Sequence, residues 1–341
     1  MNRKLSKLST NYCLLTTISS LLTSYSLLLT PAYSCSLFSG AGLGELIESS
    51  APFRFELPEE LTFECSLLSE IIDADGKATN FEFTLPHFRY TIPLPKNLAI
   101  DVGLDELLNL NFFLQSDTVW EDLAQDSVQR RVQGKGSASS FKIGIGKRFK
   151  PLVIELGGFL IFGSSQEEWI TDFVSFADAC DTIALKFSGA GGMGFLKLEF
   201  SKFSLNANYS SSSKLTSLDE LPSKFKASAF YAPVPRLKLG VGITRWGWSE
   251  PFEPMLNFSF GSELNIGRSD SQTAPTLRGG FYTGNWYYEN IKQRVGWLGI
   301  GIPFKSMLKV DLSFEFGKRW NSLFEEKIYR TEITLQGRES L

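Results

Sequence analysis

A single histidine in 341 residues excludes any mechanism that needs two imidazoles. His87 stands in LPHFRY beside a proline, and no serine or carboxylate is placed next to it by the sequence, so a nucleophile with an adjacent base is not in view. Cysteine is almost as scarce. Cys13, Cys35, Cys65 and Cys180 show no metal-ligand spacing, so no metal site is expected. A disulfide between Cys65 and Cys180 is chemically possible in an oxidising compartment, although two unpaired strand residues is the reading favoured here. Long apolar runs are also missing, and without about 20 consecutive apolar residues there is no membrane helix. Positive charge is not in excess either: the formal charge is −3, which gives no nucleic-acid footprint.

One glycine-rich stretch, SGAGGMG at Ser188–Gly194, invites a phosphate loop and fails on context. Such a loop carries Lys then Ser or Thr and opens a helix. Here Phe195–Phe200 continues as an alternating strand, so the glycines make room or allow a bend. No cofactor and no enzymatic activity are expected.

What the chain does have is alternation. In LKVDLSFEFGKR, Leu308, Val310, Leu312, Phe314 and Phe316 share one parity, while Lys309, Asp311, Ser313, Glu315 and Arg319 share the other. Successive strand side chains point to opposite faces, so this is a strand with one apolar and one charged face. A soluble sandwich strand also has this form. Repetition distinguishes the two, because segments near ten residues with tight turns and aromatic ends fit a wall in lipid.

The pattern does repeat. Leu196, Leu198 and Phe200 turn at Ser201-Lys202 into Phe203, Leu205, Ala207 and Tyr209; Phe225–Tyr231 turns at Ala232–Arg236 into Leu237–Ile243. So short a turn forces antiparallel neighbours. Trp246 and Trp248 close the second hairpin, where amphipathic rings suit a membrane interface. Polar stretches at Gln115–Gln133 and Gly163–Ala179 read as long outer loops, and Pro86 and Pro93 as interruptions of the strand over Lys77–Leu94. The count is about 14 segments: an all-β, transmembrane, antiparallel up-and-down β-barrel.

Ahead of it, Arg3, Lys4 and Lys7 precede a Leu-rich stretch that ends at Ala32-Tyr33-Ser34, which reads as a signal peptide over residues 1–34. Its removal takes the formal charge from −3 to −6. Cys35 would then be a candidate for lipidation, but Ala32 stands where the attachment box wants leucine. Residues 35–57 form an irregular lead-in, and the barrel occupies residues 58–341.

Three phrases resemble FadL-type outer-membrane transport barrels, the long-chain fatty-acid and aromatic-hydrocarbon transporters. They are FSGAGLGELIESS at Phe38–Ser50, LPSKFKASAFYAPVPRLKLGVGITRWGWS at Leu221–Ser249 and VGWLGIGIPFKSMLKVDLSFEFGKRW at Val295–Trp320. The resemblance implies a bacterial outer membrane, insertion by the barrel-assembly machinery, contact with outer-membrane lipid and passive transport of a small hydrophobic ligand such as a fatty acid. The chain departs from the family in lacking an Asn-Pro-Ala motif after the lead-in and in ending GRESL rather than on an aromatic residue. That absence favours the alternative, a structural barrel that holds a partner through its outer loops. A transporter needs an apolar pocket in a polar lumen. The inward parity offers Phe159, Ile161, Phe195, Phe230 and Trp297 for it, and Lys309, Asp311, Glu315 and Arg319 as lumenal charges.

Overall fold

The strand over Leu308–Trp320 has antiparallel partners on both sides, thirteen residues deep on each. The computed structural model describes residues 45–46, 61–74, 77–115, 118–122, 124–216, 221–248, 254–266, 274–286, 291–304, 308–322 and 325–339. The signal peptide and most of the lead-in lie outside the described residues. In chain order the strands are β1 Glu45–Leu46, β2 Leu61–Ala74, β3 Lys77–Leu94, β4 Leu98–Asn109, β5 Phe112–Gln115, β6 Val119–Glu121, β7 Asp126–Phe149, β8 Leu152–Phe173 and β9 Ala179–Glu199. They continue as β10 Phe203–Ser210, β11 Ser223–Val234, β12 Leu237–Gly247, β13 Met255–Asn265, β14 Thr276–Asn285, β15 Lys292–Phe304, β16 Leu308–Trp320 and β17 Glu325–Glu339. The described residues contain no helix.

β4, β5 and β6 follow one another along the same edge of β7, so they fill a single position in the wall. Fourteen positions result, each antiparallel to the next. β17 pairs β2 from Glu326↔Ala74 to Glu339↔Leu61, which returns the ladder to its first wall strand. Lipid offers no hydrogen bonds, so every backbone group within it must find such a partner. The β9–β10 seam is laddered over only part of its height, from Ser204↔Glu199 to Ser210↔Met193. The short β1 pairs Glu45 and Leu46 with Asn109 and Leu108 at the outer end of β4.

The alternation sorts the side chains. Phe141, Ile143 and Ile145 of β7, Leu156, Leu160 and Phe162 of β8, Leu298 of β15, and Phe314 and Phe316 of β16 all face outward and exposed. Their inward neighbours Ser140, Glu155, Trp297 and Asp311 are buried. An apolar outer band over a mixed interior is the arrangement of a wall in a bilayer.

The two polar stretches expected to be loops are mostly strand. β7 already begins at Asp126 and β8 runs on to Phe173, so only the turn after Phe173 and the segment around β5 and β6 break the ladder. Alternation of residue type fails there because polar side chains occupy both faces: Ser165 and Glu167 are buried on the inner face, while Ser164 and Gln166 are exposed on the outer. Gly136 and Gly163, at φ 140° and 150°, lie where the apolar band ends. A Cβ at either would run into the facing backbone carbonyl, of Ser164 or Ser137. Pro86 does not end β3 either: the register slips between Ser66 and Leu68, so a bulge takes the residue that cannot donate.

Candidate functional site

Residues directly opposite on paired strands share a face, so the register can be read as layers around the lumen. One layer runs Phe230↔Gly240↔Gly261↔Gly280↔Trp297↔Glu315↔Arg330 across seven strands, β11 to β17. Three successive glycines leave a shallow trough between two aromatic rings. A side chain at Gly280 would collide with the Phe260 carbonyl and the Trp297 indole, so the indole takes the space that glycine leaves. Trp297 packs with Tyr282 and Val295, and Lys238 lies 5.0 Å from the centre of the Phe230 ring.

On the inner-turn side of this layer is a charged one. Arg278 reaches Glu263 at 2.8 Å and Asp311 at 2.9 Å, and Lys309 reaches Asp311 at 3.4 Å. Across the lumen Arg89 pairs with Asp101 at 2.7 Å and approaches Glu155 at 3.6 Å, Thr91 donates to Asp101 at 2.6 Å, and Lys142 pairs with Asp105. Burial makes each charge costly alone, and pairing offsets that cost.

Toward the longer connections the lumen turns polar, then apolar. Gln293 donates to Asn257 at 3.0 Å, and beside them Arg319 pairs with Glu326. Beyond lies one continuous apolar cluster: Phe159, Ile161 and Phe187 from β8 and β9, Trp246, Met255, Trp286 and Ile291 from the opposite wall, with Trp248, Leu108, Leu110 and Ala138. Leu215 and Leu221, from the connection between β10 and β11, join it. That connection folds against β9 where β10 has ended. Ser211 N donates to Gly192 O at 2.9 Å, Ser213 Oγ to Ala190 O at 3.1 Å and Thr216 Oγ1 to Lys186 O at 2.6 Å. Gly189 and Gly191 make this possible, since a Cβ on them would meet Ser213 and Leu215, or Ser211 and the Phe159 ring.

The five aromatic and aliphatic candidates are all buried, but they do not form one pocket. Phe159 and Ile161 belong to the outer cluster, Phe195 packs with Ala99 and Val153, and Phe230 and Trp297 flank the glycine trough. The charges divide likewise. Lys309 and Asp311 join Arg278, Glu315 lies 3.6 Å from Arg330, and Arg319 pairs with Glu326.

Trp246 and Trp248 require a correction. Both are buried inside the outer cluster rather than set at a membrane interface. Parity gives the reason: Val241 points to lipid, so Gly240, Gly242, Thr244 and Trp246 point inward. Cys180 is a free, exposed thiol.

Neither a family model nor a curated protein matches the sequence significantly. Solved structures do. The chain is similar to a Pseudomonas aeruginosa FadL homologue at TM-score 0.60 and 10% identity, covering 82% of this chain and 90% of that one. It is similar to the Pseudomonas putida toluene transporter TodX at TM-score 0.59 and 14% identity, covering 89% and 94%. A third similar structure is the CymD monoaromatic hydrocarbon channel, at TM-score 0.56 and 11% identity over 83% and 90%. At these identities the likeness establishes the fold.

Proposed function

Starting from a barrel of the FadL-type fold, we propose that this protein lies in a bacterial outer membrane and passes a small hydrophobic solute, such as a fatty acid, without an energy source. On this reading it is inserted by the barrel-assembly machinery and surrounded by outer-membrane lipid. The observation that carries the reading is the outer apolar cluster, which extends from β8 and β9 across to Trp246, Met255 and Trp286. An ion entering through the described side chains of that cluster meets apolar groups that cannot replace its water, whereas an apolar solute gains by leaving water for them. The trough between Phe230 and Trp297 offers a second apolar stop below. The similar toluene and monoaromatic hydrocarbon channels support the solute class.

The test is flux in liposomes carrying the refolded barrel. Fatty-acid entry should exceed that into empty liposomes, while planar-bilayer conductance to potassium chloride should stay near baseline. Fatty-acid flux equal to that of empty liposomes would remove the transport reading. A second reading, a barrel that holds a partner outside the membrane, is favoured by the length of β7, β8 and β9. At 24, 22 and 21 residues they are about twice the 11 of β12 and β13.

A further inference from the structure

β7, β8 and β9 continue past the rim as a three-stranded wing, and its tip combines two features that soluble surfaces usually keep apart. Ten residues of β8 follow Gly163, which at about 3.3 Å per residue carries the tip some 33 Å along the strand beyond the apolar band. Lipid of its own membrane cannot cover a surface so placed. Even so, Val174 is 74% exposed, Phe176 62% and Trp120 58%.

These side chains sit on a braced tip. Val174 N donates to Ser127 O at 3.1 Å, and Asp126 accepts from Ser175 N at 2.8 Å and from Ser127 N at 2.8 Å. Asp178 accepts from Phe173 N at 3.3 Å, and Phe176 meets Phe173 edge to face with ring centres 6.3 Å apart. Trp120 Nε1 donates to Asp122 at 3.0 Å. Trp120 is opposite Ser127 on β6 and β7, and Val174 follows the Val128↔Phe173 pair on β8. Trp120, Ser127 and Val174 therefore form one row on one face. With strands about 4.8 Å apart, the two large side chains stand about 10 Å from each other across a small serine, as the walls of a notch.

The tip is acidic as well. Glu121, Asp122, Asp126, Asp172, Asp178 and Asp181 face only Arg130 and Arg131, and both arginines are already paired, with Glu121 at 2.8 Å and Asp172 at 2.7 Å. Among the described residues the other four carboxylates form no ion pair. We propose that the notch between Trp120 and Val174 is a docking surface for a basic polypeptide that inserts an apolar side chain. The charge selects this occupant: a second copy would bring the same acidic tip, and nucleic acid or an anionic membrane would be repelled. Rigid exposed aromatics are the residues that anchor such contacts, because little ordering entropy is lost on binding.

This surface is independent of transport, and its test uses the full barrel in zwitterionic nanodiscs with empty nanodiscs as baseline. The probe is a fluorescein-labelled peptide of alternating lysine and leucine, followed by anisotropy. Counterparts with glutamine for lysine, or serine for leucine, isolate charge and apolar anchor. The lysine–leucine probe should bind above baseline, more weakly as salt rises, and neither counterpart should match it. Trp120→Ser with Val174→Ser, and separately Asp122→Asn with Asp172→Asn, should each weaken binding about tenfold or more while heat-modifiable gel mobility stays native. Undiminished binding by either double variant, equal binding of the serine or glutamine probe, or no binding above empty nanodiscs would each overturn the proposal.

Discussion

Arg319 and Glu326 face each other on β16 and β17 with both side chains wholly shielded from water, Nη1 to Oε1 at 3.3 Å. The same guanidinium lies 3.7 Å from the centre of the Trp286 ring, so the pair also seats the apolar cluster above it. Removing one partner strands a buried charge. Glu326→Ala should lower the stability of the folded barrel by about 3–5 kcal/mol, whereas Arg319→Met combined with Glu326→Leu should recover most of that loss. Urea titration followed by the folded and unfolded gel bands checks this, and equal losses in the single and double variants would contradict it.

The outer face makes an opposite demand. Leu298 projects from the middle of β15, beside Phe314 in register, and is exposed where acyl chains belong. Leu298→Arg should cost about 2–4 kcal/mol if that position lies near the bilayer midplane. Cysteines introduced at Phe314 and Phe316, in a background lacking the native cysteines, should react with an apolar membrane-partitioned reagent. Cysteines at Asp311 and Glu315 should not. Labelling of both sets, or of neither, would mean that β16 does not lie in a wall between lipid and lumen.

Much of this was legible because a bilayer enforces alternation. Wherever one face meets acyl chains, as from Leu308 to Phe316, a period of two fixes strand, face and neighbour together. The same period placed Phe159, Ile161, Phe195, Phe230 and Trp297 inside, and it would have placed Trp246 there had parity been weighed above residue type. It could not group them. Grouping depends on register between strands distant in sequence, such as the row linking Phe230 to Trp297 through three glycines. The wing escaped for the converse reason: above the rim the buried face carries Ser165 and Glu167 and the exposed face Ser164 and Gln166, so a strand polar on both faces carries no hydrophobic period.

Two wing carboxylates should respond to pH in opposite senses. The Ser175 backbone N–H holds the Asp126 carboxyl below its ordinary 3.8, so its contribution to the tip is complete above that value and is lost as pH falls through the lower, folded one. Burial pushes Glu167 above 4.5, with the Trp169 indole N–H only partly offsetting it. Charging Glu167 therefore costs the wing as pH rises past 4.5, and the cost is complete above the raised, folded value. Protection factors of wing amides, corrected for the intrinsic pH dependence of exchange, should fall below pH 3.8 in the native protein but less in Asp126→Asn. Glu167→Gln should slow exchange at pH 7 and change little at pH 4. Identical profiles in all three proteins would show that neither carboxyl is linked to wing opening.

The connection from β10 to β11 allows the transport path itself to be tested. Ser211–Thr216 lies against β9 where the β9–β10 ladder has stopped, and Leu215 and Leu221 complete the apolar cluster between the two walls. A solute of any size must displace them if it passes this way, because the cluster is packed from β8 to Trp286. The segment is tied to β9 by hydroxyl-mediated hydrogen bonds and by one backbone bond, from Ser211 N to Gly192 O, each contributing about 0.5–1.5 kcal/mol. That is small enough for thermal opening. A Cβ at Gly189 would come 2.6 Å from Ser213 Oγ, so Gly189→Cys with Ser213→Cys brings two sulfurs within reach of a disulfide. In a background without the native cysteines, the oxidised double variant should pass fatty acid no faster than empty liposomes. A reducing agent should restore the flux seen with Ser213→Cys alone. Undiminished flux through the cross-linked protein would show that solute enters by a route avoiding Leu215, and the outer cluster would then be structural packing instead of a doorway.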